Sequence, residues 1–434
     1  MNIRKLALEL LNKSEKAGQY SNIAIDNAIK KNCLDTQDSS LLCVLVYGVI
    51  ERKLTLDYII DSLSSLPPSK IETNIRNILR MGLYQLFYLD RIPPHAAINE
   101  SVELCPARSR GFANAILRNY QRKFGEIKFP DKEKSQLEYL SITYSFPTDL
   151  CERFIRIFGF DKAEKIFSAF CKEPSVTLRA NSLKISRDEL ISRLGEKGIT
   201  AIAAPLSPCG IRVSGTSVAN LCIDEGLCFV QDEASQLAVL ALGAKEGDKI
   251  IDVCSCPGSK SFGAAIEMKN IGEIRSFDLH RNKLSLVEDG AKRLGISIIK
   301  TDARDGRIFD ESLTDFADKI ICDVPCSGFG VMAKKPEIRY KDPQESAGLP
   351  DIQYDILCNS SKYLKKGGIL IYSTCTLLPE ENELNVEKFL AFHEEFEYCD
   401  FNIGDLHSKK GMLTLNPYDH GTDGFFIAKL RKVK

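Results

Sequence analysis

Long apolar runs are missing from this sequence. It holds no stretch of about 18 consecutive apolar residues, the length that a helix needs to cross a bilayer. Residues 1–13 have the spacing of an amphipathic helix and lack the apolar core and small-residue cleavage site of a signal peptide. We therefore expect a cytoplasmic protein without a membrane partner.

Metal-ligand and disulfide patterns are missing as well. None of the 15 cysteines forms a C-x-x-C pair, and the 5 histidines are scattered without ligand spacing. An odd number of thiols in a protein expected inside the cell also argues against a disulfide framework. We expect no bound metal, and we expect most of the cysteines to be small core residues. One or two of them are candidates for a chemical role.

A strong overall charge is absent too. The net charge is −1, so the whole molecule is not a polycation. Locally, residues 104–128 carry six basic side chains and one acidic one, and residues 331–341 carry four and one. Such segments are either solvated helix faces or surfaces that contact phosphates, and the charge pattern leaves both interpretations open.

The composition that remains is that of a folded globular protein, with 44% hydrophobic and 27% charged residues. At 434 residues the chain is too long for one ordinary domain. Residues 1–128 carry apolar residues at three- and four-residue spacing, notably in 3–11, 39–50 and 71–89, with proline breakers between the segments. This pattern predicts an all-α domain.

Two further domains are predicted after it. Residues 129–228 mix short β-like runs with helix-like ones, which indicates a small α+β linking module. Residues 229–434 alternate strand and helix patterns, which predicts an α/β domain with a parallel sheet. The candidate strands are 249–253, 274–277, 297–300, 319–322 and 369–372, and the candidate helices are 260–268, 283–294 and 351–364. Gly367 and Gly368 are interpreted as the end of the last helix and the start of the last strand.

The segment 250–260 is predicted to run from a buried strand through a tight loop of small residues into a helix. In doubly wound folds such a turn lets a cofactor approach the backbone at the N-terminus of the helix. The segment is neither a G-x-G-x-x-G motif nor a P-loop, and an ordinary strand-to-helix turn stays open as an alternative. The candidate cofactor-binding residues of this loop are Cys254, Ser255, Cys256, Pro257, Gly258, Ser259 and Lys260.

Aspartates stand at the ends of three successive candidate strands. After Asp252, Asp278 ends the second strand, where a carboxylate is suited to accept from both hydroxyls of a ribose. Asp302 ends the third strand and is suited to accept from an adenine amine. A single aspartate at a strand end is usually a cap, but three in succession favour a ligand site at this edge.

Two cysteines leave the ends of the next strands. Asp323 and Cys326 follow the fourth strand, and Cys375 follows the fifth. This pattern suits methylation of cytosine, whose carbon 5 is too weakly nucleophilic until a thiolate adds at carbon 6. A free thiol has a pKa of about 8.5, so such a site must favour the thiolate. Asp323 is placed to hydrogen-bond the ring nitrogen. Spacing alone leaves open that both thiols are buried strand-end residues.

Three runs carry a resemblance to a known family. DVCSCPGSK, DVPCSGFGV and YSTCTLLPEENE resemble the cofactor, cytosine-recognition and nucleophile motifs of the RNA 5-methylcytosine methyltransferases. Within that family the sequence looks most like the bacterial 16S ribosomal RNA methyltransferase B group. Supporting matches span nearly the whole chain: IPPHAAINESVEL, FANAILRNYQRK, VTLRANSLK, FVQDEASQLA, KKPEIRY and DGFFIAKL.

The resemblance implies a fold and a set of roles. The helical domain would be similar to NusB, an RNA-binding fold, and the last domain would be a Rossmann-like methyltransferase domain that uses S-adenosylmethionine. Residues 254–260, Asp278, Asp302 and Asp323 occupy the family's cofactor positions. Cys375 matches the nucleophile, and Cys326 matches the second cysteine, which is associated with release of the product. The implied partner is RNA, foremost 16S ribosomal RNA, and we expect a monomer.

The sequence departs from the family in the cofactor loop. Ser255, Cys256 and Ser259 stand where alanines and a second glycine are usual. All three are small enough for a ligand to approach the backbone, so we expect function to survive with altered affinity.

Three alternatives stay open. A DNA cytosine methyltransferase would attack from Cys326, although the Y-S-T-C segment and the NusB-like part argue against it. A non-catalytic RNA-binding assembly factor would bind RNA without turnover, although Cys375, Cys326 and Asp323 are intact. A transfer-RNA target would use the same chemistry.

Overall fold

The computed structural model describes residues 2–17, 21–214 and 221–434. These residues form two compact units. The first is Met1–Lys172 together with Met332–Lys341, and the second is Glu173–Val331 together with Asp342–Lys434. Within the described ranges, no helix is long and apolar enough to cross a membrane.

The first unit is built from helices. The apolar spacing predicts this for residues 1–128, whereas the helices between residues 136 and 170 lie in the part assigned to the linking module. The helices of the first unit are α1 (Ile3–Ala17), α2 (Ser21–Asn32), α3 (Thr36–Glu51), α4 (Lys53–Leu63), α5 (Thr73–Tyr88), α6 (Pro94–Glu103), α7 (Ala107–Lys123), α8 (Gln136–Tyr144), α9 (Thr148–Phe158) and α10 (Phe160–Phe170). Helix α5 illustrates why: Ile75, Ile78, Leu79 and Leu83 recur at helical spacing, and all are buried in the core.

The segment Met332–Lys341 packs into this helical unit although it follows the cysteine motif in sequence. Its Arg339 side chain is fully buried. The guanidinium donates to the carbonyl oxygens of Glu51 and Phe170, both at 3.0 Å, and lies 4.2 Å from the centre of the Phe146 ring. Arg339 is therefore neither solvated nor available to phosphate, so both interpretations of its charge are wrong.

The second unit begins with a small antiparallel sheet, the α+β module of the prediction. Its elements are β1 (Val176–Ala180), α11 (Arg187–Glu196), β2 (Thr200–Ala203), β3 (Gly210–Ser214) and β4 (Cys228–Val230), with the strand order β2-β3-β1-β4.

A large sheet follows. Its helices are α12 (Glu233–Leu242), α13 (Ser259–Glu267), α14 (Arg281–Leu294), α15 (Pro343–Ala347), α16 (Leu349–Ser361), α17 (Glu383–Phe392) and α18 (Pro417–His420). Its strands are β5 (Lys249–Asp252), β6 (Glu273–Asp278), β7 (Ile299–Ala303), β8 (Ala317–Asp323), β9 (Leu364–Thr374), β10 (Phe396–Tyr398), β13 (Met412–Leu415) and β14 (Phe425–Lys432), and a separate pair is β11 (Asn402–Ile403) with β12 (Leu406–His407).

The five predicted parallel strands are confirmed. The order is β10-β14-β9-β8-β5-β6-β7, and all pairings among β5 to β9 are parallel. The sheet then continues beyond β9 through β14, which runs antiparallel to β9. The expectation of a purely parallel sheet is therefore wrong at this edge. The carboxyl ends of β5 to β9 lie along one edge, as a ligand site at strand ends requires.

The interpretation of Gly367 and Gly368 is also wrong. Helix α16 ends at Ser361, and β9 begins at Leu364, before the glycine pair. The pair lies inside the strand, where its register with β8 shifts between Ala317 and Lys319. Gly367 has a φ of +80°, which suits an irregular position of the ladder rather than a helix end.

Candidate active site

The predicted cofactor loop connects β5 to α13 at the carboxyl edge of the sheet. Its backbone is tied to both neighbouring strands. Val253 N donates to Ile321 O of β8 at 3.1 Å, and Ser255 N donates to Phe277 O of β6 at 2.7 Å. These hydrogen bonds fix the start of the loop between β6 and β8.

Gly258 closes this loop and has a φ of +106°. Its N–H donates to Ser255 O at 2.6 Å, and a Cβ at this position would lie 2.5 Å from the Phe262 ring. Only glycine combines this conformation with this space. Helix α13 begins at the next residue, so its first N–H groups face the loop. The bond between Cys256 and Pro257 is cis, and Pro257 is exposed.

The two loop thiols are poor nucleophile candidates. Burial raises the pKa of Cys254 well above its ordinary value. Burial, followed by the negative charge of Asp278, raises the pKa of Cys256 to about 12. Both side chains therefore stay protonated at neutral pH, and their contribution to a binding site is their small size.

The strand-end aspartates have different surroundings. Asp252 is buried and accepts from Ser261 Oγ at 2.6 Å, which ties α13 to β5. Asp278 is half-buried and accepts from His280 N at 2.8 Å. Asp302 lies opposite Phe277 in the parallel ladder, so Asp278 and Asp302 stand on neighbouring strands.

Asp302 has an ion partner that the sequence did not indicate. Arg304 Nε donates to its Oδ2 at 2.9 Å, and the aspartate side chain is 54% exposed. A ligand amine would therefore share this carboxylate with Arg304, so its role in adenine binding stays a prediction.

Asp323, at the end of β8, is held by two donors. Lys260 Nζ donates to its Oδ2 and Ser373 Oγ to its Oδ1, at 2.6 and 2.7 Å. Burial alone would lower the pKa of Lys260, but its interactions with Asp323, and then with Asp252 and Cys375, outweigh burial and raise that pKa above its ordinary value. The sequence motif places Lys260 in the cofactor loop and gives no sign of this pairing with Asp323.

Cys326 and Cys375 meet because β8 and β9 are adjacent and parallel. Asp323 lies opposite Ser373 in that ladder, and each cysteine follows the end of its strand. The two Sγ atoms are 2.8 Å apart, and Cys375 N donates to Cys326 Sγ at 3.2 Å. The hydrogen bond with Cys375 and burial, with added repulsion from Cys375 and Glu381, raise the pKa of Cys326 well above its ordinary value. Either thiol could donate to the other, and the raised pKa of Cys326 favours Cys326 as the protonated partner.

Two glycines bring the end of the Cys326 loop against the backbone of Cys375. Gly330 N donates to Cys375 O at 2.9 Å, and Gly424 N donates to Gly330 O at 2.8 Å. A Cβ on Gly330 would lie 1.8 Å from Gly424 O, so this approach is possible only without a side chain.

A buried polar layer also lies beside the two cysteines. Glu381, Gln353, Asn382 and Asn385 are all buried. The run YSTCTLLPEENE contains two of them, Glu381 and Asn382, and its resemblance to the nucleophile motif assigns neither a role. Nothing in the local sequence around Glu381 indicates that this charged residue is buried.

The basic segment 104–128 remains on the surface for the most part. Arg108 is 74% exposed and paired with Glu72 at 2.7 Å, while Arg118 and Arg122 donate to Asn114 and Asn119 on the same helix, α7. These guanidinium groups keep unused donors towards solvent, which suits either interpretation of the segment. Across residues 2–17, 21–214 and 221–434, no group of three or more His, Cys, Asp or Glu side chains is arranged to hold a metal ion.

Comparisons with known proteins match all three parts of the chain. Residues 239–431 match the family described as 16S rRNA methyltransferase RsmB/F, and residues 1–122 match the NusB family. Residues 146–219 match the ferredoxin-like domain of RsmF/B-like methyltransferases.

Full-length relatives share both sequence and structure. The probable ribosomal RNA small subunit methyltransferase B of Bacillus subtilis is 37% identical, with 99% of each chain covered. The corresponding protein of Synechocystis is 36% identical, with 100% of each chain covered. The crystal structure of PH0851 has a TM-score of 0.81 at 28% identity and covers 99% of this chain and 98% of its own. NSun6 from Pyrococcus horikoshii, solved with SFG, has a TM-score of 0.60 at 26% identity, covering 67% of this chain and 99% of its own.

Proposed function

Because this chain belongs to the RsmB/F family of 16S ribosomal RNA methyltransferases, we propose that it methylates carbon 5 of a cytosine in 16S ribosomal RNA, with Cys375 as covalent nucleophile. One observation supports this covalent mechanism. Two thiols stand 2.8 Å apart at the ends of neighbouring strands, beside an aspartate held by a buried lysine. Thiolate addition uses one thiol as the nucleophile, and the second thiol stands close enough to assist the later elimination.

The residues of the strand edge fit S-adenosylmethionine as methyl donor. The ligand carries a ribose diol and an adenine amine, which donate, and Asp278 and Asp302 supply acceptors on neighbouring strands. Residues 254–260 offer small side chains and the N-terminus of α13. The SFG of the NSun6 structure is an analogue of this cofactor. When bound, S-adenosylmethionine supplies the methyl group.

The protein groups prepare the cytosine for that methyl group. The Cys375 thiolate adds to carbon 6, and the ring becomes an enamine that is nucleophilic at carbon 5. Lys260 is a buried cation that interacts electrostatically with Cys375, and a cation near a cysteine favours its thiolate form. As sulfur adds to carbon 6, ring nitrogen 3 takes up a proton from water, and the resulting N–H donates to the Asp323 carboxylate, which Lys260 and Ser373 orient.

Methyl-acceptor assays test the proposal directly. The protein and labelled S-adenosylmethionine are combined with 16S ribosomal RNA, transfer RNA or duplex DNA, and methylated positions are mapped. We expect label at carbon 5 of cytosine in 16S ribosomal RNA. Label confined to transfer RNA or to DNA would assign a different substrate. RNA binding without any transfer would show an assembly factor rather than an enzyme.

Asp278→Ala is expected to weaken S-adenosylmethionine binding at least about tenfold, because charge-assisted hydrogen bonds contribute about 1.5–3 kcal/mol. Isothermal titration calorimetry measures the affinity. Asp278→Asn is the matched control, since it keeps an oxygen for His280 N and loses only the charge, so its loss should be smaller. An affinity unchanged in Asp278→Ala would place the ribose elsewhere.

RNA capture is expected to depend on the exposed arginines of α7. Replacing Arg108, Arg110, Arg118 and Arg122 with alanine should flatten the dependence of log affinity on log salt by roughly one unit for each lost phosphate contact. The control replaces Lys30 and Lys31, exposed at the end of α2, and should leave the slope unchanged. If the quadruple variant folds and keeps the parent slope, this helix face is only solvated.

A further inference from the structure

Two buried side chains form hydrogen bonds with the peptide groups on either side of Cys326. Gln353 Nε2 donates to Pro325 O at 2.9 Å, and Ser327 N donates to Glu381 Oε2 at 2.9 Å. Gln353 Nε2 also donates to the same Glu381 oxygen at 2.8 Å, so the two side chains form one bonded pair. We call Gln353 and Glu381 the cysteine clamp.

The cysteine clamp is itself held rigidly. Glu381 is 1% exposed and Gln353 is 0% exposed. Tyr372 OH donates to Glu381 O at 2.6 Å, and Asn385 Nδ2 donates to Gln353 Oε1 at 3.3 Å. A buried carboxylate is costly unless it accepts hydrogen bonds, and this one accepts two from amide N–H groups. Such a group holds its neighbours in place with little freedom.

The same stretch of chain also holds the other cysteine. Ser327 Oγ donates to Thr376 Oγ1 at 2.9 Å, and Asn382 Nδ2 donates to Thr376 O at 3.0 Å. Thr376 directly follows Cys375, and Ser327 directly follows Cys326. The bonds from Glu381, Asn382 and Thr376 therefore set the position of one thiol relative to the other.

We propose that Glu381 and Gln353 are positioning residues that hold the Cys326 thiol against Cys375 for release of the methylated RNA. This inference rests on the proposed function. The negative charge of Glu381 is one of the causes that raise the pKa of Cys326, which agrees with a thiol kept protonated. Neither residue needs to contact RNA for this role.

Release of the methylated RNA returns Cys375 to its free thiolate. Water or hydroxide takes the proton from carbon 5, and the electrons of that C–H bond form the double bond between carbons 5 and 6. The electrons of the carbon 6–sulfur bond return to Cys375. The Cys326 thiol, 2.8 Å from that sulfur, donates a hydrogen bond to the emerging thiolate. Moving Cys326 away therefore slows release without blocking addition.

The test separates adduct formation from adduct release in the full chain. Labelled RNA and S-adenosylmethionine are mixed with excess enzyme, and the RNA–protein adduct is followed by denaturing gel electrophoresis over time. Glu381→Ala and Gln353→Met should form the adduct within about threefold of the parent rate and release it at least about tenfold more slowly. Glu381→Gln, which keeps an oxygen for Ser327 N, should release faster than Glu381→Ala.

Controls make the outcome decisive. Glu387→Ala, an exposed position on α17, should behave as the parent. If formation and release fall together in Glu381→Gln and Gln353→Met, or if neither changes, the clamp is only structural and the inference is overturned. If Glu381→Ala does not fold, the comparison uses Glu381→Gln and Gln353→Met alone.

The failure of this inference differs from failure of the proposed function. A parent enzyme without methylation or adduct contradicts the proposed function itself. Adduct trapping by Cys326→Ala together with normal release by the clamp variants contradicts only the positioning role.

Discussion

We expect Cys375→Ala to abolish methylation and every covalent RNA–protein complex, and Cys326→Ala to accumulate such a complex. This is the result expected if Cys375 acts in addition and Cys326 in elimination. Without Cys375 no thiolate adds to carbon 6, and carbon 5 stays unreactive. Loss of a covalent nucleophile costs about 10⁶-fold in a well-studied hydrolase, so we expect at least roughly a 10⁴-fold loss here.

Cys326→Ala leaves addition through Cys375 intact and impairs only elimination. The adduct should then survive denaturing gel electrophoresis, and the double variant should show none. The geometry supports these separate roles, because Cys326 Sγ lies 2.8 Å from Cys375 Sγ, and the raised pKa of Cys326 favours its protonated form. Adducts on Cys375→Ala and none on Cys326→Ala would instead make Cys326 the nucleophile. That outcome would favour the mechanism of the DNA cytosine methyltransferases.

Asp323→Asn is expected to slow adduct formation by roughly 10²–10⁴-fold, the usual contribution of a positioned acid or base. Asparagine has nearly the same shape, but it cannot provide the charged partner of Lys260 or share a proton with the ring nitrogen. Single-turnover kinetics with labelled RNA measure the rate. Calorimetry on the same variant measures S-adenosylmethionine affinity, since Asp323 also occupies a cofactor position by resemblance.

Asp318→Asn is the matched control for this variant. Asp318 lies on the same strand at its opposite end, where it accepts from Lys249 N and Lys365, and we expect a parent rate. Melting temperatures of both variants separate loss of chemistry from loss of fold. Adduct formation at the parent rate in Asp323→Asn would remove Asp323 from the addition step. A drop in cofactor affinity that accounts for the whole effect would leave it a binding role alone.

Local periodicity was enough to predict the framework of the site. The strands from β5 to β9 are short apolar runs, and their polar ends at Asp278, Asp323 and Cys375 are visible in the printed sequence. Because parallel strands all end at one edge, listing strand ends also lists the residues that share a crevice. The family and the three-part fold followed from motifs spread over the whole chain, and both are confirmed.

The partners of those residues were not predictable in the same way. β14 has the apolar runs of a strand, but nothing local states that it pairs antiparallel with β9. Arg339 stands in a basic segment and is nonetheless buried against the carbonyl oxygens of Glu51 and Phe170. Its burial depends on helices that lie more than a hundred residues away in the chain.

The residues of the site likewise fall into a part that local sequence predicts and a part that depends on long-range contacts. Which residue types stand at the strand ends is a local property, since alternation and turn residues place them there within a few positions. Three contacts of the site are long-range in the chain. Lys260 pairs with Asp323, the thiols of Cys326 and Cys375 meet, and Glu381 accepts from the backbone beside Cys326. They join residues about 50 positions or more apart, and only the packing of β5, β8 and β9 against α13 and α16 brings such groups within hydrogen-bond distance.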